Sequence, residues 1–321
     1  MTRRSSSAPR ARGRLRGPLV LAALAALAVI LIAVFALRGG GDDGPELPAE
    51  AYEGIGAWVD VFDYVPALGA APVAEPDVDA MAAQGVKTIY LHAAFDSDRL
   101  PGGVVPDDIV APILRRAHER DMRVVGWYAP RFLDPDADFE RLVAIATDDF
   151  GGERFDGVAV DIEDRSLDDI DLRNERLIEL SERLDERLGD RATIGAVVLP
   201  TVLLERVNTR FWPRFPWADI APHYDVWMPM TYWTDRLESS GYRNPSRYVG
   251  ESVARMRELT GLPDAPVHPI GGIGDRLEES EVDVYVAALE EVGAIGASIY
   301  DYRTMPGGAW GPLRRAVPSA E

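Results

Sequence analysis

Residues 155–164 read FDGVAVDIED, an almost wholly apolar run that finishes in acid. Side chains alternate across an extended strand, so Gly157, Ala159, Asp161 and Glu163 point one way, with the Cα atoms of Asp161 and Glu163 about 6 to 7 Å apart. Two carboxyls at that separation do not ionise independently: one pKa rises while the other falls. The pair therefore has the makings of a general acid beside an anionic helper. Two acids closing a run of Val and Ile are costly to bury without a purpose. A structural ion pair, with Arg131 or Arg276, is the alternative.

Seven further short apolar runs share this pattern, at 55–61, 87–92, 123–128, 192–199, 226–232, 267–273 and 296–302. Neighbouring runs are centred about 28 to 41 residues apart, the length of one strand, one helix and two loops. The segments between them carry helical period. Ile109, Ile113 and Ala117 line one face, and Leu177, Leu180, Leu184 and Leu188 another, which Gly189 ends. Val249, Val253 and Met256, and then Tyr285, Leu289 and Val292, repeat the pattern. The fifth connection, 200–224, is rich in proline and only weakly periodic. Eight β/α units in roughly 265 residues match a (β/α)8 TIM barrel over 54–318, a fold of typically about 250 residues. A doubly wound open sheet is the rival, but no G-x-G-x-x-G or P-loop follows the first strand.

The chain of 321 residues is 47% hydrophobic and 27% charged, as befits a globular protein with a substantial core. Residues 18–37 hold no charged or strongly polar side chain. About 20 such residues span a bilayer core as one transmembrane helix. Six arginines in the basic tail 1–17, against Arg38 alone just beyond the span, place the N-terminus in the cytoplasm and the rest outside. A cleaved signal peptide is the rival. The apolar run exceeds the usual h-region and no clear A-x-A site follows, which favours an anchor in the cell membrane. Residues 38–53, rich in Gly, Pro and acid, read as a flexible linker.

No cysteine is present, so disulfides, thiolate metal sites and a lipidated anchor are ruled out. Past residue 53 there are 27 basic and 48 acidic side chains. That excess of acid argues against nucleic acid as a partner. No cofactor is expected. Histidine pairs and H-E-x-x-H are missing, so zinc has no support, while an oxygen-ligated Mg or Ca site stays open. There is no G-x-S-x-G nucleophile elbow either.

In such a barrel the catalytic groups sit at the C-terminal ends of the strands. Those ends carry Asp60 and Asp63; His92; Trp127, Tyr128 and Arg131; Asp161, Glu163 and Asp164; Met230, Tyr232, Trp233 and Asp235; Asp275 and Arg276; and Tyr300, Asp301 and Tyr302. Carboxylates ringed by aromatics suit a sugar, whose apolar face stacks on rings while its hydroxyls meet acids and Arg. Asp60, His92, Trp127, Met230, Trp233, Tyr300 and Asp301 are the candidate substrate-binding residues. His92, Trp58, Trp127 and Tyr128 each have a plain packing alternative.

The segment Asp156-Gly157-x-x-x-Asp161-x-Glu163 resembles the D-G-x-D-x-D-x-E signature of glycoside hydrolase family 18, the chitinase-like barrels. Met230-Thr231-Tyr232 is similar to that family's M-x-Y on strand six. The resemblance implies that Glu163 is the general acid, that Asp161 orients the substrate's N-acetyl group and that Tyr232 hydrogen-bonds the acetamido carbonyl. Ala159 stands where the signature has its middle Asp, Trp233 where an acid usually follows the Tyr, and Tyr300 where Trp is frequent. Family 25 lysozyme-like barrels, which also end a strand in D-x-E and begin with an acidic first strand, are a second resemblance. Both imply a substrate containing N-acetylhexosamine.

The expectation is a membrane-anchored, extracytoplasmic glycoside hydrolase acting on a cell-wall or chitin-like polysaccharide by a retaining, substrate-assisted mechanism. Ala159 and Trp233 motivate a different class, a glycan-binding barrel without turnover. Asp60 or Asp301 as a second enzyme carboxylate would give a third.

Overall fold

The computed structural model describes residues 47–316. Each of the eight apolar runs forms a strand: β1 Gly54–Val59, β2 Thr88–His92, β3 Arg123–Tyr128, β4 Gly157–Ile162, β5 Ile194–Val198, β6 Val226–Thr231, β7 Ile270–Ile273 and β8 Gly296–Tyr300. Neighbours in sequence pair in parallel, and β8 closes on β1. The fold is thus the expected (β/α)8 barrel. Its outer helices are α1 Glu75–Ala83, α2 Asp107–His118, α3 Pro135–Thr147, α4 Ile170–Leu188, α5 Trp217–Ile220, α6 Pro245–Thr260, α7 Glu279–Val292 and α8 Trp310–Ala316.

The apolar stripes read from the sequence face the barrel. Leu177, Leu180 and Leu184 of α4 are buried, as are Val249, Val253 and Met256 of α6 and Tyr285 and Leu289 of α7. Gly189 ends α4 at φ 64°, a conformation that costs glycine little. The weak fifth connection holds only short pieces: a turn at Leu203–Val207, the four-residue α5 and a 3-10 turn at Ala221–His223. Pro213, Pro216 and Pro222 withhold the amide hydrogens that a longer helix needs.

The barrel interior is filled by side chains of very unequal size. Tyr52 plugs its lower end, with its hydroxyl donating to the Val158 carbonyl (2.7 Å) and the Thr193 carbonyl 3.0 Å away. Gly195 and Gly157 clear the space: a Cβ on Gly195 would lie 2.7 Å from the Tyr52 ring, and one on Gly157 3.0 Å from its hydroxyl. Leu47 extends this end by pairing with the strand-five entry, its amide donating to Arg191 and its carbonyl accepting from Thr193. Residues 47–53 are therefore packed structure, not the linker that their composition suggests. Leu47, Ala51 and Tyr52 are all buried.

Above Tyr52 runs a buried polar column. His268 Nδ1 faces the Tyr52 carbonyl at 2.8 Å, which only accepts, so Nδ1 carries the proton. Nε2 then accepts from the Ser298 hydroxyl (3.0 Å), which itself accepts from the Trp58 indole N–H (2.8 Å). Burial pushes the His268 pKa down to about 4, keeping the ring neutral. Trp58 stacks on Tyr90 at 4.5 Å and meets Trp127 edge-on at 5.7 Å. These rings form the floor on which the upper mouth is built.

Among the described residues no helix is long and apolar enough to cross a membrane. The basic tail, the apolar span 18–37 and the linker up to residue 46 lie outside them.

Candidate active site

The acids of β1 and β4 meet over the aromatic floor. Asp161, the last inward residue of β4, is 7% exposed, and its Oδ1 has no hydrogen-bond partner. Burial first, then the charges of Glu163, Asp60 and Asp164, hold its pKa well above the ordinary carboxylate range. Glu163 lies one step beyond the strand. Its side chain is open to water, yet the mouth around it is dense enough in protein that desolvation is the largest cause raising its pKa. Asp164 adds to the rise and Arg165 opposes it. The Glu163 charge raises the pKa of Asp161, and burial makes Asp161 the more reluctant of the two to ionise.

Tyr232, at the end of β6, is half-buried. Burial and then the charges of Glu163 and Asp161 raise its hydroxyl pKa, so it remains a hydrogen-bond donor. Its ring lies 6.1 Å from that of Tyr300. Tyr300 donates to Asp60 Oδ2 at 3.0 Å, and the Phe62 amide donates to Asp60 Oδ1 at the same distance. Burial opposes the charge on Asp60, but the His92 imidazole at 3.7 Å and these donors outweigh it and lower the pKa. Asp60 is thus the readiest of the group to ionise, and Asp161 is held back from it.

His92 is buried and stacks on Trp127 with ring centres 3.7 Å apart. Burial lowers its pKa against the pull of Asp60, and both ring nitrogens lack a hydrogen-bond partner. The Trp127 indole donates to the Tyr90 carbonyl, which fixes the ring beneath His92. Trp127 supports the mouth from below. Met230 is also buried, under Tyr232.

Two of the sequence-derived binding residues lie elsewhere. Trp233 is 0% exposed and packs 5.0 Å from Tyr285 of α7, between sheet and helix. It offers no face to a ligand, because it opens the 3-10 turn Trp233–Asp235 after β6 with its ring packed on α7. Asp301 bends into its own turn, with Oδ1 accepting from the Thr304 amide and hydroxyl at 3.0 and 2.9 Å. The proposed arginine partners of the acid pair are occupied as well. Arg131 pairs with Asp96 and Arg276 with Asp235. No ion pair to Asp161 or Glu163 is present among the described residues, so a structural salt bridge does not account for them. Tyr128 is likewise structural, donating to the buried Asp138 at 2.6 Å.

Ala159, in the place of the signature's middle acid, is fully buried beside Gly195 and level with Trp127 in register. Small residues on β4 and β5 face the large rings of the other strands, and the level below Asp161 is apolar. Sequence reading missed the flank of the mouth formed by Arg165, Phe211, Arg236 and Leu237. Its one signal was Leu237, an apolar residue in a polar loop, which is 75% exposed.

A closed parallel barrel with acids and aromatics at the C-terminal strand ends is the architecture of many glycoside hydrolases. The solved structures that resemble this chain are chitinase-like and related barrels of that kind. They include the endo-beta-1,4-mannanase from Thermotoga petrophila (TM-score 0.62, 10% identity, 84% of this chain and 77% of that one). The spore cortex-lytic enzyme SleL of Bacillus cereus aligns with TM-score 0.59 and 11% identity over 83% and 74%. A chitinase from Chromobacterium violaceum aligns with TM-score 0.55 and 11% identity over 82% and 98%. At such identity the likeness is one of fold. No protein-family model matches the sequence, and no curated protein does.

Proposed function

We propose that this protein is a glycoside hydrolase that cleaves a β-linked polysaccharide containing N-acetylhexosamine, such as a cell-wall or chitin-like polymer, with retention. The observation that carries the reading is the buried Asp161, its Oδ1 without a hydrogen-bond partner and its pKa raised by burial and by the Glu163 charge, with Tyr232 in the field of both acids. The likeness of fold to a mannanase, a spore cortex-lytic enzyme and a chitinase supports it.

An acetamido N–H donated to Asp161 favours the ionised form of that carboxyl and moves a proton to Glu163. Glu163 then protonates the leaving glycosidic oxygen. The acetamido oxygen attacks the anomeric carbon, and Asp161 with Tyr232 steadies the oxazolinium that forms. Glu163 finally takes a proton from the water that opens the ring, a substrate-assisted variant of the two-carboxylate scheme. Asp60, whose carboxylate accepts from Tyr300 and the Phe62 amide, adds negative potential near the cationic sugar.

Digestion of peptidoglycan and of chitooligosaccharides by the full-length protein, followed by mass spectrometry, tests this. Products with a reducing N-acetylhexosamine end are expected. Tight binding without products would instead favour the glycan-binding reading, for which the apolar level at Ala159 is the motive.

The membrane anchor is part of the same proposal, resting on the arginine asymmetry around residues 18–37. Protease added to intact cells should release the barrel and leave a short protected N-terminal fragment. A barrel protected until lysis would overturn the orientation, and a mature chain starting after residue 37 would show a cleaved signal.

A further inference from the structure

A cavity of about 500 Å³ opens beside the reaction mouth, between the Leu203–Val207 turn after β5 and the loop after β6. Its walls include Leu203, Val207, Phe211 and Leu237, with Asp235 and Arg236 among its polar groups. Its lining is joined to the acid pair by near neighbours in the chain. Asp235 follows Tyr232 by three residues, and Arg165, two residues past Glu163, lies 3.9 Å over the Phe211 ring.

The lining does not suit a bare sugar. A pyranose needs an open aromatic face and many hydroxyl partners, but the Arg165 guanidinium covers Phe211 and the remaining apolar walls are aliphatic. The local charge is also unusual for a domain so rich in acid. Neither Arg165 nor Arg236 has a carboxylate in ion-pair range among the described residues, and the Arg236 Nε is buried without a hydrogen-bond partner. Asp235, the acid in the lining, is already paired with Arg276. Guanidiniums that rest on aromatic rings without a carboxylate partner, beside aliphatic walls, recognise a carboxylate attached to an aliphatic group.

Building on the glycan-cleaving reading, we propose that this cavity binds a carboxylate-bearing peptidyl substituent of the glycan, so that the protein prefers a peptide-substituted polymer over an unsubstituted one. Leu203, Val207 and Leu237 receive the aliphatic side chains, and Arg165 and Arg236 the carboxylates. A phosphate-substituted glycan would satisfy the arginines but leave the aliphatic walls without a partner.

Binding separates this from turnover. In the Glu163→Gln background, full-length protein is titrated calorimetrically with a muramyl-peptide oligosaccharide and with a peptide-free oligomer of N-acetylglucosamine of equal length. The peptide-bearing ligand should bind about tenfold more tightly or better. Leu237→Asp, at a position exposed enough to tolerate it, should bring the two affinities together without weakening the peptide-free oligomer. Arg165→Gln should do the same by removing a cation. Equal affinity for both ligands, or a preference that survives both substitutions, overturns the cavity assignment alone. Failure of both ligands to bind removes the glycan reading, and the cavity assignment with it.

Discussion

Glu163→Gln is expected to lower kcat by about 10² to 10⁴, the usual contribution of a general acid, while thermal stability stays within a few degrees. The side chain is exposed and makes no ion pair among the described residues, so the exchange of an oxygen for an amide removes a proton donor and little else. The same variant should lose the alkaline limb of the kcat/KM profile. In the wild type, desolvation and Asp164 raise the Glu163 pKa, so the protonated acid persists to a higher pH than an ordinary Glu allows and activity falls as pH climbs through that raised value. A cleanly folded variant with wild-type rate and profile would remove Glu163 from the mechanism.

The barrel could be read from the sequence because each strand is buried on both faces, which makes its apolar run continuous, and because the runs recur at β/α spacing. The acid pair was visible for a related reason: carboxylates at the end of such a run have no cheap structural use. What stayed hidden depends on contacts between distant residues. Tyr52 sits in a stretch whose Pro and Glu content resembles a linker, and its burial is decided by Gly157 and Gly195, more than a hundred residues away. Trp233 invited a ligand role by standing next to Tyr232, but the chain leaves β6 before it and turns its ring onto Tyr285 of α7, a contact that no local pattern announces. Arg131 and Arg276 found Asp96 and Asp235, partners that no local pattern announces.

Asp161→Asn should reduce kcat far more than it weakens binding, and it should leave the fold as stable as before or more so. Asp161 has a folded pKa well above its unfolded value. The folded chain therefore binds more protons than the unfolded one between those two values, and stability falls as pH rises through that window. Asn carries no charge and removes this penalty. A residue that merely held the barrel together would show the reverse, a lower melting temperature with activity falling in step. The catalytic loss arises because Asn cannot offer the anion that pairs with the oxazolinium. A thiazoline mimic of that ring should accordingly inhibit the wild type and lose most of its affinity in Asp161→Asn, since an analogue of the charged intermediate is held by the interactions that strengthen on the way to it. Substrates without an acetamido group should be inert. Cleavage of a glycan lacking acetamido sugars, unaffected by the thiazoline, would transfer the nucleophile to an enzyme carboxylate. Asp60 is the one placed for it, because the Tyr300 hydroxyl and the Phe62 amide donate to its carboxylate and its pKa is lowered, whereas Asp301 is turned into its own loop.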